Sequence, residues 1–237
     1  MNIILLDKNE TNSDGSAKID GRRFLHISKV LKSKIGDSIR IGVIDGLCGT
    51  GTISEICDNS IIFKTEFSKA APSPLPITLL LALPRPKAFR RTLETAVTMG
   101  VKRIFVLNSS NVEKSYWDSP FLTPEALRER MLLGLEQAGD TIIPQLTLCR
   151  SFETLINDNL KDIIKDSTAV IAGPSEVNES QPKPNGQITL CVGPDRGFTA
   201  YEQKRFIESG FVQYSLGSRT LRVEQAVPAL IGRLSAE

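Results

Sequence analysis

The feature that most constrains the fold is an alternation, from Ile77 onward, of short apolar runs with segments of helical periodicity. Nearly continuous apolar runs are typical of parallel strands covered on both faces, and they occupy Ile77–Leu83, Arg103–Leu107, Thr168–Ala172, Gln187–Val192 and Val212–Leu216. Helical patterns follow these runs at Ala88–Met99, Pro124–Ala138, Phe152–Ile164, Ala200–Ser209 and about Glu224–Leu234. The alternation predicts an α/β domain, an open doubly wound sheet that is mostly parallel, with helices on both faces.

The chain before this alternation has a different character. One helical pattern, Arg22–Lys34, lies among short strands predicted at Ile3–Leu6, Ser38–Ile44, Gly51–Glu55 and Ile61–Phe67. Prolines then crowd the stretch up to Pro76, which favours an extended connector. We therefore predict a small β-rich domain over residues 1–70, a linker over 71–76 and an α/β domain over 77–237. A second proline-rich loop is predicted over Gln181–Gly186.

Basic residues are clustered although the net charge is small. A formal charge of +2 is too low to indicate nucleic-acid binding by itself. Cationic side chains gathered on one surface are what a phosphate backbone requires. The candidate contacts are Arg22, Arg23, His26, Lys29 and Lys32 in the first domain and Arg85, Lys87, Arg90 and Arg91 in the second. From charge alone, an ordinary solvated helix face explains the first group equally well.

Several classes of site are excluded by what the sequence lacks. His26 is the single histidine, and the four cysteines form no Cys-x-x-Cys pair, so neither a histidine triad nor a Cys/His metal cluster is expected. No Walker-type loop is present, and no Gly-x-Gly-x-x-Gly follows the Ile77 strand. Free cysteines and the lack of a membrane-spanning run predict a soluble, cytoplasmic protein.

Two loops near the end of the chain are the best candidates for a binding site. Gly193–Phe198 and Leu216–Glu224 each follow a predicted strand and precede a predicted helix, where loop amides and helix N-termini collect ligands. The second loop carries Arg222 and Glu224, a cation and a carboxylate able to hold an anion and handle a proton. An ordinary turn and an exposed Arg/Glu surface pair are the alternatives from spacing alone.

Five segments, in order, carry a family resemblance that covers nearly the whole chain. They are His26–Leu31 with Gly36-Asp37, Lys87–Gly100, Glu136-Gln137 with Pro144, Gly193–Phe198 and Leu216–Ala226. Together they resemble the bacterial 16S ribosomal RNA uridine N3-methyltransferases, a branch of the knotted SPOUT methyltransferases. The resemblance implies that residues 1–70 form a PUA-like RNA-binding domain and that 77–237 form a SPOUT domain with a C-terminal trefoil knot.

The same resemblance implies an activity and a site. The expected cofactor is S-adenosylmethionine, without metal, and the expected partners are ribosomal RNA or the small ribosomal subunit and a second copy of the chain, without a membrane. The basic groups named above become candidate RNA contacts. Arg222 and Glu224 are implied to act on the uracil. The residues implied to line the cofactor are Gly193, Pro194, Gly197, Leu216, Gly217 and Leu221.

The chain departs from the family pattern at Asp140, Arg196, Val223 and Gln225. Arg196 stands where the family commonly has glycine, and a left-handed backbone there would cost about 1–2 kcal/mol. A divergent paralogue with another RNA target and a non-catalytic RNA-binding protein therefore remain alternatives. A nicotinamide-dependent oxidoreductase ranks third. Tyr116-Trp117 is either a base-stacking platform or core packing.

Overall fold

The computed structural model describes residues 2–173 and 186–235, so the loop predicted over Gln181–Gly186 lies outside the described residues except for Gly186. Contacts divide the chain into two units. The first contains Met1–Ser73 and Leu132–Ile143, and the second contains Pro74–Met131 and Pro144–Glu237. The second unit is a mixed α/β structure built on a parallel sheet.

The first unit is a five-stranded sheet with the order β1-β3-β4-β5-β2. Only the β1–β3 pair is parallel among these neighbours. The strands are β1 Ile4–Leu6, β2 Ser16–Asp20, β3 Ser38–Val43, β4 Cys48–Ile56 and β5 Ser60–Lys69. Helix α1, Gly21–Leu25, continues into a π-helical segment, His26–Leu31. Strand β2 was not predicted, because only Ala17 and Ile19 of its residues are apolar and buried.

The stretch Leu132–Ile143 belongs to this first unit although its sequence reads as the end of a helix of the second. Long-range hydrogen bonds account for the assignment. The Asn2 backbone N–H donates to the Glu136 carbonyl at 2.8 Å, and the Thr141 hydroxyl donates to the Gly46 carbonyl at 2.6 Å. Such contacts connect residues more than ninety positions apart and leave no periodic trace in the sequence.

The second unit contains a six-stranded, entirely parallel sheet with the order β11-β9-β10-β6-β7-β8. Its strands are β6 Ile77–Ala82, β7 Arg103–Leu107, β8 Gln145–Cys149, β9 Thr168–Ala172, β10 Ile188–Val192 and β11 Val212–Tyr214. Strands β6 and β10 are buried along their whole length, as their continuous apolar runs predicted. Strand β8 was missed because it lies at the sheet edge and its residues alternate between polar and apolar.

The remaining described α-helices are α2 Pro86–Thr98, α3 Pro124–Ala138, α4 Phe152–Thr154, α5 Leu160–Ile163, α6 Ala200–Glu208 and α7 Val223–Leu234. A π-helical segment, Leu155–Asn159, separates α4 from α5, so the helix predicted over Phe152–Ile164 is irregular. Pro228 is the sixth residue of α7, beyond the first turn, where a helix tolerates proline best. Within the described part of the chain, no helix has the length and apolar character needed to cross a membrane.

Candidate active site

The parallel sheet of the second unit brings several loops to one edge. The chain runs outward from β6 to β7 and β8, then returns on the other side of β6 with β10 as its direct neighbour. A reversal of strand order of this kind opens a crevice at the carboxyl ends of the strands, where α/β proteins bind ligands. The loops after β10 and β11, which the sequence singled out, both begin at this edge.

The loop after β10 is tightly built around a β-turn. The Gly197 N–H donates to the Pro194 carbonyl at 2.7 Å, and Gly197 has a φ of +70°. A Cβ on Gly193 would lie 3.1 Å from the Phe198 ring, so the main chain there packs closely against that side chain. Pro194 and Phe198 are buried, and the remaining turn residues are at least partly accessible.

Arg196 does not carry the strain expected from the sequence. Among the described non-glycine residues only Lys32, Asp45 and Asp166 have positive φ, so the left-handed position of this turn belongs to Gly197 alone. An arginine at the preceding position therefore costs no left-handed strain. Arg196 is exposed, and its guanidinium has no partner among the residues that the structure describes.

This geometry predicts that neither of two neighbouring substitutions stabilises the protein, although only one of them creates left-handed strain. Gly197→Ala is expected to lower the free energy of unfolding by about 1–2 kcal/mol, because it forces an L-residue into the left-handed region. Arg196→Gly is expected to give no stabilisation, since it adds only conformational entropy to the unfolded chain. Urea unfolding of both variants measures the difference. A more stable Arg196→Gly protein would contradict the turn geometry.

Three side chains that the sequence analysis did not assign to this loop hold it in place. Glu202 is 1% exposed and accepts from the backbone N–H groups of Ser110 at 2.7 Å and Thr199 at 2.9 Å. The Asn111 amide donates to the Gly197 carbonyl at 2.8 Å. Thr199 and Glu202 form a capping box at the start of α6. The spacing Thr-x-x-Glu was a usable signal for that box, whereas nothing in the sequence marked Asn111.

Arg85, predicted to contact RNA, lies beside the same turn. Its Nε is 3.5 Å from Oδ2 of Asp195, and both side chains are substantially exposed. An exposed ion pair contributes about 0–1 kcal/mol. The Arg85–Asp195 pair links the loop after β6 with the loop after β10. These two loops lie on either side of the point where the strand order reverses.

The loop after β11 presents glycine and exposed apolar side chains. Gly217 has a φ of +117°, and its N–H donates to the Ser215 hydroxyl at 3.0 Å. Leu216 and Leu221 are each 40% exposed, which is unusual for leucine. A flexible backbone between two accessible leucines is suited to contacting a flat, partly apolar ligand.

Helix α7 begins directly after this loop and carries the candidate catalytic pair. Arg222 is the N-cap residue, and its carbonyl accepts from the N–H groups of Gln225 at 2.9 Å and Ala226 at 2.8 Å. Its guanidinium is exposed, as is that of Arg219, and neither side chain has a partner among the described residues. Glu224 lies in the first turn, where a carboxylate interacts favourably with the helix dipole.

In the first unit, the predicted RNA contacts fall into two kinds. Arg22 and Arg23 are ion-paired: Arg22 with buried Glu136 at 2.7 Å, and Arg23 with Glu10, where Nη1 lies 2.7 Å from Oε2. The other three predicted residues lie on the π-helical segment or at its end. Lys29 and Lys32 are exposed, and the buried Nε2 of His26 has no partner among the residues described here.

The Arg23–Glu10 pair predicts a pH-dependent stability. Burial alone would raise the Glu10 pKa, but hydrogen bonds from Arg23 and the Asp7 backbone outweigh it, and the pKa lies below its ordinary value. We expect Arg23→Ala to lower the free energy of unfolding by about 1.5–3 kcal/mol near neutral pH. The loss of unfolding free energy in Arg23→Ala relative to wild type has its full size above the ordinary Glu pKa. It becomes smaller as the pH falls through the lowered pKa of Glu10.

Lys29→Ala is the matched control for Arg23→Ala, because Lys29 is exposed. It is expected to change stability by less than about 0.5 kcal/mol. Chemical unfolding between acidic and neutral pH measures both variants. If Arg23→Ala and Lys29→Ala are equally stable at neutral pH, the ion pair between Arg23 and Glu10 is not formed.

In the second unit, the predicted RNA contacts lie at the start of α2. Lys87 and Arg91 are exposed. Arg90 instead places its guanidinium carbon 4.5 Å from the centre of the Phe121 ring, a cation–π contact. Lys87 and Arg91 are thus the more accessible of the cations on this helix.

The sequence of this chain is similar to the sequences of known methyltransferases. A family model for the RNA methyltransferase domain matches residues 71–235. The ribosomal RNA small subunit methyltransferase E of Treponema pallidum (strain Nichols) is 31% identical over 239 residues, covering 97% of this chain and 88% of that protein. Ribosomal RNA small subunit methyltransferase E 1 of Borreliella burgdorferi is 25% identical over 236 residues, covering 97% and 95%.

Solved structures show the same fold. A Neisseria gonorrhoeae ribosomal RNA small subunit methyltransferase E bound to S-adenosyl methionine matches with a TM-score of 0.72 at 21% identity, covering 98% of this chain and 95% of that one. A Legionella pneumophila methyltransferase in complex with the same cofactor matches with a TM-score of 0.76 at 18% identity, covering 98% and 96%.

Proposed function

This chain belongs to the RNA methyltransferase family, and we propose that it methylates N3 of a uridine in the 16S RNA of the small ribosomal subunit, using S-adenosylmethionine. The observation that carries the proposal is the pair of glycine-bearing loops at the carboxyl edge of a parallel sheet, beside Arg219 and Arg222, whose guanidinium groups have no partner among the described residues. The names of the relatives support the choice of RNA, and the resemblance supports uridine N3.

The residues present fit the cofactor. Gly197 and Gly217 have positive φ and carry no side chain, so a ligand can approach the main chain closely there, and Leu216 and Leu221 offer accessible apolar surface for a planar base. We assign cofactor contacts to these four together with Gly193 and Pro194. When bound, S-adenosylmethionine would supply a methyl group on a sulfonium, from which a neutral thioether departs readily.

Arg222 and Glu224 provide what the nucleotide requires. N3 of uracil carries a proton that must leave before or during methyl transfer, and negative charge develops on the neighbouring oxygens until the methyl group is bound to N3. The Arg222 guanidinium, exposed and unpaired among the described residues, would stabilise that charge. Glu224 is the candidate acceptor for the proton.

Several further features are part of the same proposal. We assign the first unit an RNA-binding, PUA-like role, with Lys29, Lys32 and His26 as contacts beside Arg22 and Arg23. In the second unit Lys87 and Arg91 join Arg85 and Arg90. A C-terminal trefoil knot and a homodimer, which rest on the resemblance, complete the proposal together with a cytoplasmic location, which rests on the free cysteines.

The rival function is that of an RNA-binding protein without cofactor. The main reason to consider this rival was possible backbone strain at Arg196. That reason does not hold, because Arg196 has no positive φ. Calorimetry with S-adenosylmethionine separates the two functions. We expect saturable binding, accompanied by transfer of label from methyl-labelled cofactor to ribosomal RNA. Absence of both binding and transfer would favour the rival.

A further inference from the structure

A cleft of about 560 Å³ lies in the second unit beside the proposed cofactor loops. Its volume is within the range of about 300–1,000 Å³ typical of ligand pockets. Residues just after β7 and β8 line it, so it opens at the same sheet edge as the loop after β10. Ser110, on its wall, donates to Glu202, the carboxylate that also caps α6. None of the six residues assigned to the cofactor lines the cleft.

One buried polar group in the cleft wall is unsatisfied. Ser109 is 4% exposed, and its hydroxyl has no hydrogen-bond partner among the residues described. Leaving a buried hydroxyl unpaired is costly, and native structures rarely do so without a ligand or another functional reason. The Ser109 hydroxyl therefore lacks a partner in a residue that lines the cleft, and a ligand with both donors and acceptors would supply one.

An aromatic ring is held at the rim of the same cleft. Tyr201 is 54% exposed, although its hydroxyl is fixed. That hydroxyl donates to Glu153 at 3.1 Å and accepts from Arg205 at 2.8 Å. The ring is therefore pre-oriented while much of its surface remains accessible, as a base-stacking platform requires.

The cleft also contains two cations, beside the carboxylates of Asp118, Glu153 and Glu202. Lys114 and Arg150 are exposed, and the Arg150 guanidinium lies 5.0 Å from the centre of the Trp117 ring. Trp117 itself is buried, with its indole N–H donating to the Asn108 side chain at 2.9 Å. Trp117 thus packs beneath Arg150, so the packing interpretation of Tyr116-Trp117 holds for Trp117. The accessible aromatic side chain is Tyr201.

We propose that this cleft is a subsite for an unpaired nucleotide of the substrate RNA, next to the nucleotide that is methylated. The base stacks on Tyr201, its phosphate faces Arg150 and Lys114, and the Ser109 hydroxyl bonds a polar edge of the nucleotide. Stacking on an aromatic ring combined with a cation for the phosphate is the usual way to hold single-stranded RNA. The proposal rests on the proposed function for the identity of its ligand.

Trp117 provides a direct readout, because it is the single tryptophan of the chain and Arg150 covers its ring. We expect single-stranded hexauridylate, added without S-adenosylmethionine, to change the Trp117 fluorescence in a saturable manner. Tyr201→Ala should weaken that binding about 5- to 100-fold, the range seen when a stacking aromatic is removed. Tyr201→Phe is the matched control: it keeps the ring, loses the same hydroxyl contacts and should bind within about threefold of wild type.

The outcomes separate this proposal from the proposed function. Unchanged fluorescence, or equal binding of hexauridylate by Tyr201→Ala and wild type, would each overturn the RNA subsite. If wild type methylates RNA and Tyr201→Ala does so with the same kcat/KM, the subsite alone is wrong. Tyr201-dependent hexauridylate binding by a protein that transfers no methyl group would support the subsite and reject the proposed function.

Discussion

Replacing Arg222 with alanine is expected to lower kcat for methyl transfer by about 100- to 1,000-fold, the loss typical of removing one group that stabilises developing charge. The guanidinium is exposed at the N-cap of α7, and no described side chain neutralises it. Its charge is therefore available to the uracil oxygens. Affinity for S-adenosylmethionine should change little, because the assigned cofactor contacts lie in the preceding loops.

Arg233→Ala is the matched control, since Arg233 is an exposed arginine in the last turn of the same helix. It should leave kcat and the cofactor Kd within about twofold of wild type. Single-turnover transfer from labelled cofactor measures kcat, and calorimetry measures Kd. Equal turnover by the Arg222 and Arg233 variants would refute the role given to Arg222.

Phe206→Ala is expected to be the most destabilising of the proposed changes, costing about 3–5 kcal/mol of unfolding free energy. Phe206 is fully buried in α6, with ring centres 5.1 Å from Phe198, 5.1 Å from Phe211 and 5.6 Å from Phe152. Phe198 belongs to the loop after β10, so loss of this packing also loosens the proposed cofactor site.

Urea unfolding checks this expectation, with Ile207→Ala as the control on the same helix. Ile207 is 49% exposed, and its truncation should cost less than about 1 kcal/mol. Weaker binding of S-adenosylmethionine should accompany only the Phe206 change. Similar stability of the two variants would mean that the aromatic cluster does not support the loop.

Much of the α/β architecture is predictable because buried parallel strands leave a continuous apolar run. Strands β6 and β10 and helix α3 fall almost where their patterns placed them. Strand β8 was not predicted from the sequence, because a half-exposed edge strand has no continuous apolar run. The transfer of Leu132–Ile143 to the first unit depends on hydrogen bonds to Asn2 and Gly46, distant in sequence, which no local pattern encodes.

The sequence indicates where the candidate site lies, but it does not indicate the contacts that hold the loops of the site together. Glycines after β10 and β11 and the charges of Arg222 and Glu224 were visible in the sequence. The Asn111 bond to Gly197 and the Arg85–Asp195 pair connect separate loops and emerge only from the fold. Arg196 does not have the suspected backbone strain, because the residue of this turn with positive φ is Gly197. Sequence alone cannot tell which residue of a turn has positive φ.

The most direct test of the central claim is nucleoside mapping of ribosomal RNA after reaction with the purified protein and methyl-labelled S-adenosylmethionine. Small-subunit RNA from cells lacking the gene, both free and assembled in subunits, is the substrate. We predict that the label appears as 3-methyluridine at a single position and that Arg222→Ala abolishes it. Label recovered on another nucleoside, or none on any RNA, would contradict the account.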